Sequence, residues 1–155
     1  MGKLIHYYKT YTWALEAGFS EADAKAIALA DWQVDILKPD ERYQRGRHLN
    51  TNWLALLGGL PTQLWYASYY LGQAIRSSNL EDLGTSLHSV QDWIGHGAWP
   101  VYGYHWIGPW NVKIFGRTVR LRRYNPDEDL SSGRLERLET ITKEYMRQYR
   151  LAIGI

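Results

Sequence analysis

Two histidines flank an aspartate in the stretch His88-Ser89-Val90-Gln91-Asp92-Trp93-Ile94-Gly95-His96. On a helix each step of four advances about 40°, so the three side chains fall within about 80° of one another. One face then presents imidazole, carboxylate and imidazole, a natural wall for a transition metal. A chain of this composition would hold that spacing by chance about once in a hundred. Solvated or singly hydrogen-bonded histidines are the alternative. Leu87, Val90 and Ile94 turn part of the same helix to a core. Trp93, Trp99 and His105-Trp106 are bulky enough to wall a cleft beside the histidines.

Asp31 and Asp35 form a second pair four apart, on an Ala-rich run. They read either as ordinary side chains near an exposed helix end or as further carboxylates for the same site. His48 lies thirteen residues beyond Asp35, and His6 sits near the start beside Tyr7 and Tyr8. A histidine among aromatics is most simply a core residue whose ring nitrogens are satisfied.

Taken in order, His6, Asp35, His48, His88-x-x-x-Asp92 and His96 resemble the zinc-dependent phospholipase C and P1-type nuclease superfamily. The flanking text AGFSEADAKAIALADWQVD and LGTSLHSVQDWIGHG is similar to helices of its small bacterial members. The resemblance covers roughly residues 5–108. It implies a mostly helical bundle with a zinc cluster of two or three ions at the base of a cleft. Asp35, His48, His88 and Asp92 would hold one zinc, and Asp92 would bridge to a second shared with His6. His96 and His105 would bind a third with one more carboxylate. The family's N-terminal Trp ligand has no counterpart in Met1-Gly2-Lys3-Leu4. The family's last carboxylate position falls on Pro109, which leaves Asp127 or Asp129 to complete the third site. A two-metal version is therefore also expected.

The activity so implied is hydrolysis of a phosphodiester. Two cations clamp the phosphate, and a water of lowered pKa attacks. Asp92 is expected at the centre of the ligands, and Asp35 or Asp31 to take or relay the water's proton. Phospholipid is the preferred substrate, because residues 97–110 are rich in Trp and Tyr that suit a bilayer surface. Nucleic acid is the alternative, with Arg117, Arg120, Arg122 and Arg123 on phosphates and Trp99, Tyr102 or Trp106 stacking on bases. Substrate contacts are thus expected at Trp99, Trp106, Arg120 and Arg123. A solvated face explains the arginines equally well. A third reading is a non-enzymatic helical module in which metal is structural and an aromatic face binds a partner.

The elements that must position these residues are punctuated clearly. Residues 4–17 read as a helix closed by Gly18. Ser20-Glu21-Ala22-Asp23 resembles a capping box, opening a helix to about Leu37 that Pro39 stops. A helix from about Pro61 to Ser77 and another from Asn79 to about Gly95 follow, the latter with Glu81 and Asp82 at its positive end. Residues 97–110 read as an ordered loop. Residues 112–123 alternate around Phe115-Gly116-Arg117 as a short β-hairpin. Ser131-Ser132-Gly133 opens a last helix to about Arg150, with Leu135, Leu138, Ile141, Tyr145 and Tyr149 on one side. The expected fold is mostly α, one domain over 1–155, with a short β-hairpin or ordered loop near 97–125.

Composition narrows the rest. The 155 residues contain no Cys, so disulfides, thiolate metal sites and a Cys nucleophile are excluded. There is no G-x-S-x-G elbow and no P-loop, which argues against a serine hydrolase or an NTPase. Net charge is +2, split as −2 over residues 1–110 and +4 over residues 111–155, too mild to name a nucleic-acid binder. Eight Trp and twelve Tyr against two Phe favour cores around polar sites, or membrane and sugar interfaces. The longest apolar run, Trp53 to Leu60, is far shorter than the about 20 residues a membrane span needs. The first residues lack a signal-peptide profile, so delivery is expected from elsewhere, as for a toxin domain cut from a larger secreted protein. A cognate immunity protein would then be a partner.

Overall fold

The computed structural model describes residues 2–37, 62–96, 110–114, 117–121 and 132–155. It is mostly helical. The first helix begins as a π-helical segment, Leu4–Lys9, and continues as α1, Thr10–Glu16. From sequence, residues 4–17 read as one helix without distinction of type. The Ile5 carbonyl accepts from both the backbone N–H and the hydroxyl of Thr10, closing the wider i→i+5 turn. Such turns are rare and gather at functional sites. This one carries His6.

Gly18 ends α1 as its left-handed position requires, with φ +87°. The Phe19 and Gly18 N–H groups return to the Ala14 and Leu15 carbonyls, a Schellman closure. Helix α2 spans Glu21–Leu37. Ser20 caps it: its hydroxyl accepts the Asp23 N–H at 3.1 Å and donates to the Asp23 carboxylate at 2.8 Å. The next helices are α3, Thr62–Ser77, and α4, Leu80–His96. Asn79 caps α4 through its side-chain oxygen on the Glu81 N–H. Strands β1, Trp110–Ile114, and β2, Arg117–Leu121, pair antiparallel with Val112 opposite Val119. The last helix, α5, spans Ser132–Ile153. Its buried face is Leu138, Thr142, Met146 and Tyr149, a seam rotated from the one expected, with Leu135, Ile141 and Tyr145 half-buried beside it.

Helix α4 is the axis around which the others pack. It lies against α2, α3 and α5, and residues 83–92 are buried on every side. One part of it joins Ile27, Leu71, Ala74, Met146 and Tyr149 in the main core through Leu83 and Leu87. Ile94 joins Ile5, Trp13 and Leu138 in a smaller cluster. Yet Thr85, Ser86, His88, Ser89, Gln91 and Asp92 are buried as well. Polar groups in such a place need partners. Ser86 donates to the Ala67 carbonyl at 2.7 Å and Ser89 to the Thr85 carbonyl at 3.3 Å, while His88 turns to α2 and Gln91 to the first helix and α5.

Gly84 lets α2 and α4 come close. A Cβ there would stand 2.6 Å from the Ala30 Cβ and the Ile27 carbonyl oxygen, and 2.8 Å from the Asp31 nitrogen. One helical turn beyond Gly84, this contact sets His88 against Asp31. Among the described residues no helix is long and apolar enough to cross a membrane.

Candidate metal centre

Three pairs of residues, each four apart, meet between the first helix, α2 and α4. They are His6 with Thr10, Asp31 with Asp35, and His88 with Asp92. All except Asp35 are fully buried, and Asp35 is 26% exposed. The rings of His6 and His88 stack with centroids 4.1 Å apart and planes 30° from parallel. His6, Asp31 and His88 form a buried group whose donor atoms lie within 4.8 Å of one another and could hold a metal ion.

Hydrogen bonding decides which edge of each ring is available. His88 Nδ1 lies 2.9 Å from the main-chain oxygen of Asp31 and 3.2 Å from its Oδ1. A carbonyl only accepts, so Nδ1 carries the hydrogen. His6 Nδ1 lies 2.9 Å from both Asp31 Oδ1 and Gln91 Oε1. Gln91 Nε2 donates to the hydroxyls of Thr10 at 2.9 Å and Thr142 at 3.3 Å, which turns Oε1 to the histidine. Thr10 in turn donates to Asp31 Oδ2 at 2.8 Å. Both rings therefore keep Nδ1–H toward Asp31 and, when neutral, aim the Nε2 lone pair the other way.

That other side is lined by carboxylates. His6 Nε2 is 3.3 Å from Asp92 Oδ1 and 4.0 Å from Asp35 Oδ2. His88 Nε2 is 3.4 Å from Asp92 Oδ2 and 3.7 Å from Asp35 Oδ1. Direct N–H···O bonds run about 2.7–3.2 Å. Donors about 2.0–2.2 Å from one tetrahedral ion sit about 3.3–3.6 Å apart. The two Asp92 contacts, at 3.3 and 3.4 Å, fall at the separation of two ligands on one ion. His6 Nε2 is buried with no hydrogen-bond partner among the described residues and lies 3.3 Å from the Asp92 carboxylate. Only positive charge between them makes that arrangement favourable.

Protons are one source of that charge. Burial alone would depress His88, but the Asp92 carboxylate and hydrogen bonds to Asp31 and Asp92 outweigh it and push its pKa up to about 10. Burial and the neighbouring His88 oppose charge on His6, while Asp31 overcomes both and raises it. Burial would raise Asp31, yet His6 and the hydrogen bonds from both rings hold it below the usual carboxylate range. Two imidazolium rings stacked at 4.1 Å repel each other. A divalent cation on the Nε2 side supplies the same charge with both rings neutral, and so fits the residues present.

Of the residues singled out by sequence, the structure brings together His6, Asp35, His88 and Asp92. Asp31, which the sequence leaves open between an ordinary helix-end side chain and a carboxylate of the site, is buried at the centre, holding both rings. Gln91, Thr10, Thr142 and Gly84 were missed, although Gln91 stands inside the motif that drew attention and Thr10 is one turn from His6. His96 closes α4, and Arg120 on β2 pairs with Asn111 on β1. His48, Trp99, His105, Trp106, Arg122, Arg123, Asp127 and Asp129 lie outside the described residues. No protein-family model, curated protein or solved structure matches the chain.

Proposed function

We propose that this chain is a zinc-dependent hydrolase of phosphodiester bonds, with phospholipid preferred as substrate. The observation that supports it is the approach of two buried Nε2 atoms to two carboxylates, at 3.3–4.0 Å, one of which reaches solvent. His6, His88 and Asp92 would hold the ion and leave a position for water, with Asp35, 3.7 and 4.0 Å from the two Nε2 atoms, beside it. Asp31 holds the two rings from behind, the arrangement in which a carboxylate fixes a ligand's tautomer and strengthens it as a base. Zinc bound there would supply Lewis acidity at a phosphoryl oxygen and a water of lowered pKa.

The chain's own residues do the remainder. Asp35 alone among the five reaches solvent, which suits it to take a proton from the attacking water and pass it out. Asp31, fully buried, keeps its charge on the Nδ1 side of both imidazoles. A nuclease is the second reading, favoured by Arg117 and Arg120 on strand β2. The further zinc sites implied by the resemblance, and the place of His48, His96 and His105 in them, belong to the same proposal.

The test is elemental analysis of protein purified without chelator or metal-binding tag, followed by cleavage of a soluble phosphodiester. Zinc in the protein together with zinc-dependent cleavage is the expected result. A folded protein that takes up no metal overturns the reading. Bound metal without cleavage favours the structural module.

A further inference from the structure

The outer faces of the π-helical segment and of α2, near Asp35 in sequence, carry aromatic and apolar side chains. Leu4 and Tyr8, one turn apart, are each 54% exposed, and Ile36, one turn beyond Trp32, is 50% exposed. Lys3 joins the two helices. Its Nζ lies 4.5 Å from the centroid of the Trp32 ring and 5.7 Å from those of Tyr7 and Tyr8. The Tyr7 ring meets Trp32 edge to face at 6.0 Å. Among these six residues the only charge is the ammonium of Lys3.

We propose that this face docks on an anionic phospholipid bilayer, with Lys3 at the level of the phosphates and Leu4, Tyr8 and Ile36 in the interfacial layer. Large apolar side chains left in water on one face mark a contact surface. The chemistry of this one selects the occupant. Trp and Tyr hold an apolar ring and a polar edge, which suits the boundary between acyl chains and headgroups. A lysine beside them adds attraction to anionic lipid. Position agrees with chemistry. Asp35, the one site residue open to solvent, lies between Trp32 and Ile36 in sequence, so docking would turn the site's open side to the headgroups. The inference deepens the phospholipid reading and rests on it.

The test is co-sedimentation with phosphatidylcholine vesicles, with and without phosphatidylglycerol, read alongside cleavage of a soluble phosphodiester. Wild-type protein should sediment with the anionic vesicles and much less with the neutral ones. Leu4→Asp with Tyr8→Asp should weaken sedimentation at least tenfold while soluble-substrate cleavage stays unchanged. Lys3→Glu, a single exposed change that spares the apolar surface, should remove the preference for anionic lipid. Undiminished sedimentation of these variants, or none by the wild type, overturns the docking face and leaves the hydrolase standing. A dimer abolished by the same substitutions, without vesicle binding, assigns the face to a second copy and also overturns it. Vesicle binding without any cleavage of the soluble diester overturns the hydrolase reading and with it this one, leaving only adsorption to lipid.

Discussion

Asp31 Oδ1 sits 2.9 Å from His6 Nδ1 and 3.2 Å from His88 Nδ1, so one carboxylate orients two stacked imidazoles from different helices. The Nε2 edges of both rings are thereby set toward Asp35 and Asp92. Each prediction below depends on that division into a holding side and a binding side.

Asp31→Asn should lower zinc affinity about 10–100-fold without abolishing binding, the effect expected of a group that orients ligands. Competition titration against a zinc chelator measures it. Complete loss of binding would place Asp31 among the ligands themselves.

Asp92→Asn should both lower metal content and remove activity, because Asp92 faces both Nε2 atoms, at 3.3 and 3.4 Å. Elemental analysis and turnover on the same preparation provide the check. Undiminished activity would remove the proposed site.

The ion-free protein should lose stability as pH rises. His88 has its pKa raised from 6.5 to about 10 against the opposition of burial, chiefly by Asp92. A raised pKa contributes stability that is complete below the unfolded value and lost as pH climbs through the folded one. Calorimetry should therefore show Tm falling by several degrees between pH 6.5 and 10. Saturating zinc should flatten that fall, since the ion replaces the proton. A chelated protein whose Tm is level across this window would contradict the charge arrangement.

Gly84→Ala should part α2 from α4. The added methyl would meet two atoms at 2.6 Å, one of them the Ile27 carbonyl oxygen, which cannot swing aside as a side-chain tip can. Overpacking typically costs about 1–3 kcal/mol, and backbone contacts place this case at the upper end. Urea unfolding should show the loss, and zinc affinity should fall with it as Asp31 moves from His88. Unchanged stability would mean that the helices tolerate wider spacing.

The helices were largely written in local sequence. Gly18, Ser20 and Asn79 mark ends because capping bonds reach only a few residues along the chain. The pairing of Asp31 with Asp35, and of His88 with Asp92, follows equally from helical pitch. Pitch alone does not say which side of a helix is buried. Helix α4 carries six buried polar residues between 85 and 92, a pattern that reads as a partly exposed face until three other helices surround it.

Asp31 and Asp35 differ little in sequence context, and only packing separates them. The close approach at Gly84 places Asp31 beneath the Nδ1 atoms, and four residues on, Asp35 faces the Nε2 atoms and reaches solvent. Residue type and spacing picked out histidines and carboxylates that could hold a metal ion and the helices that would carry them. The tertiary structure decided which carboxylate orients the imidazoles and which two face their lone pairs. It could do so because helix rotation and separation are set by contacts between residues far apart in the chain, where periodicity carries no information.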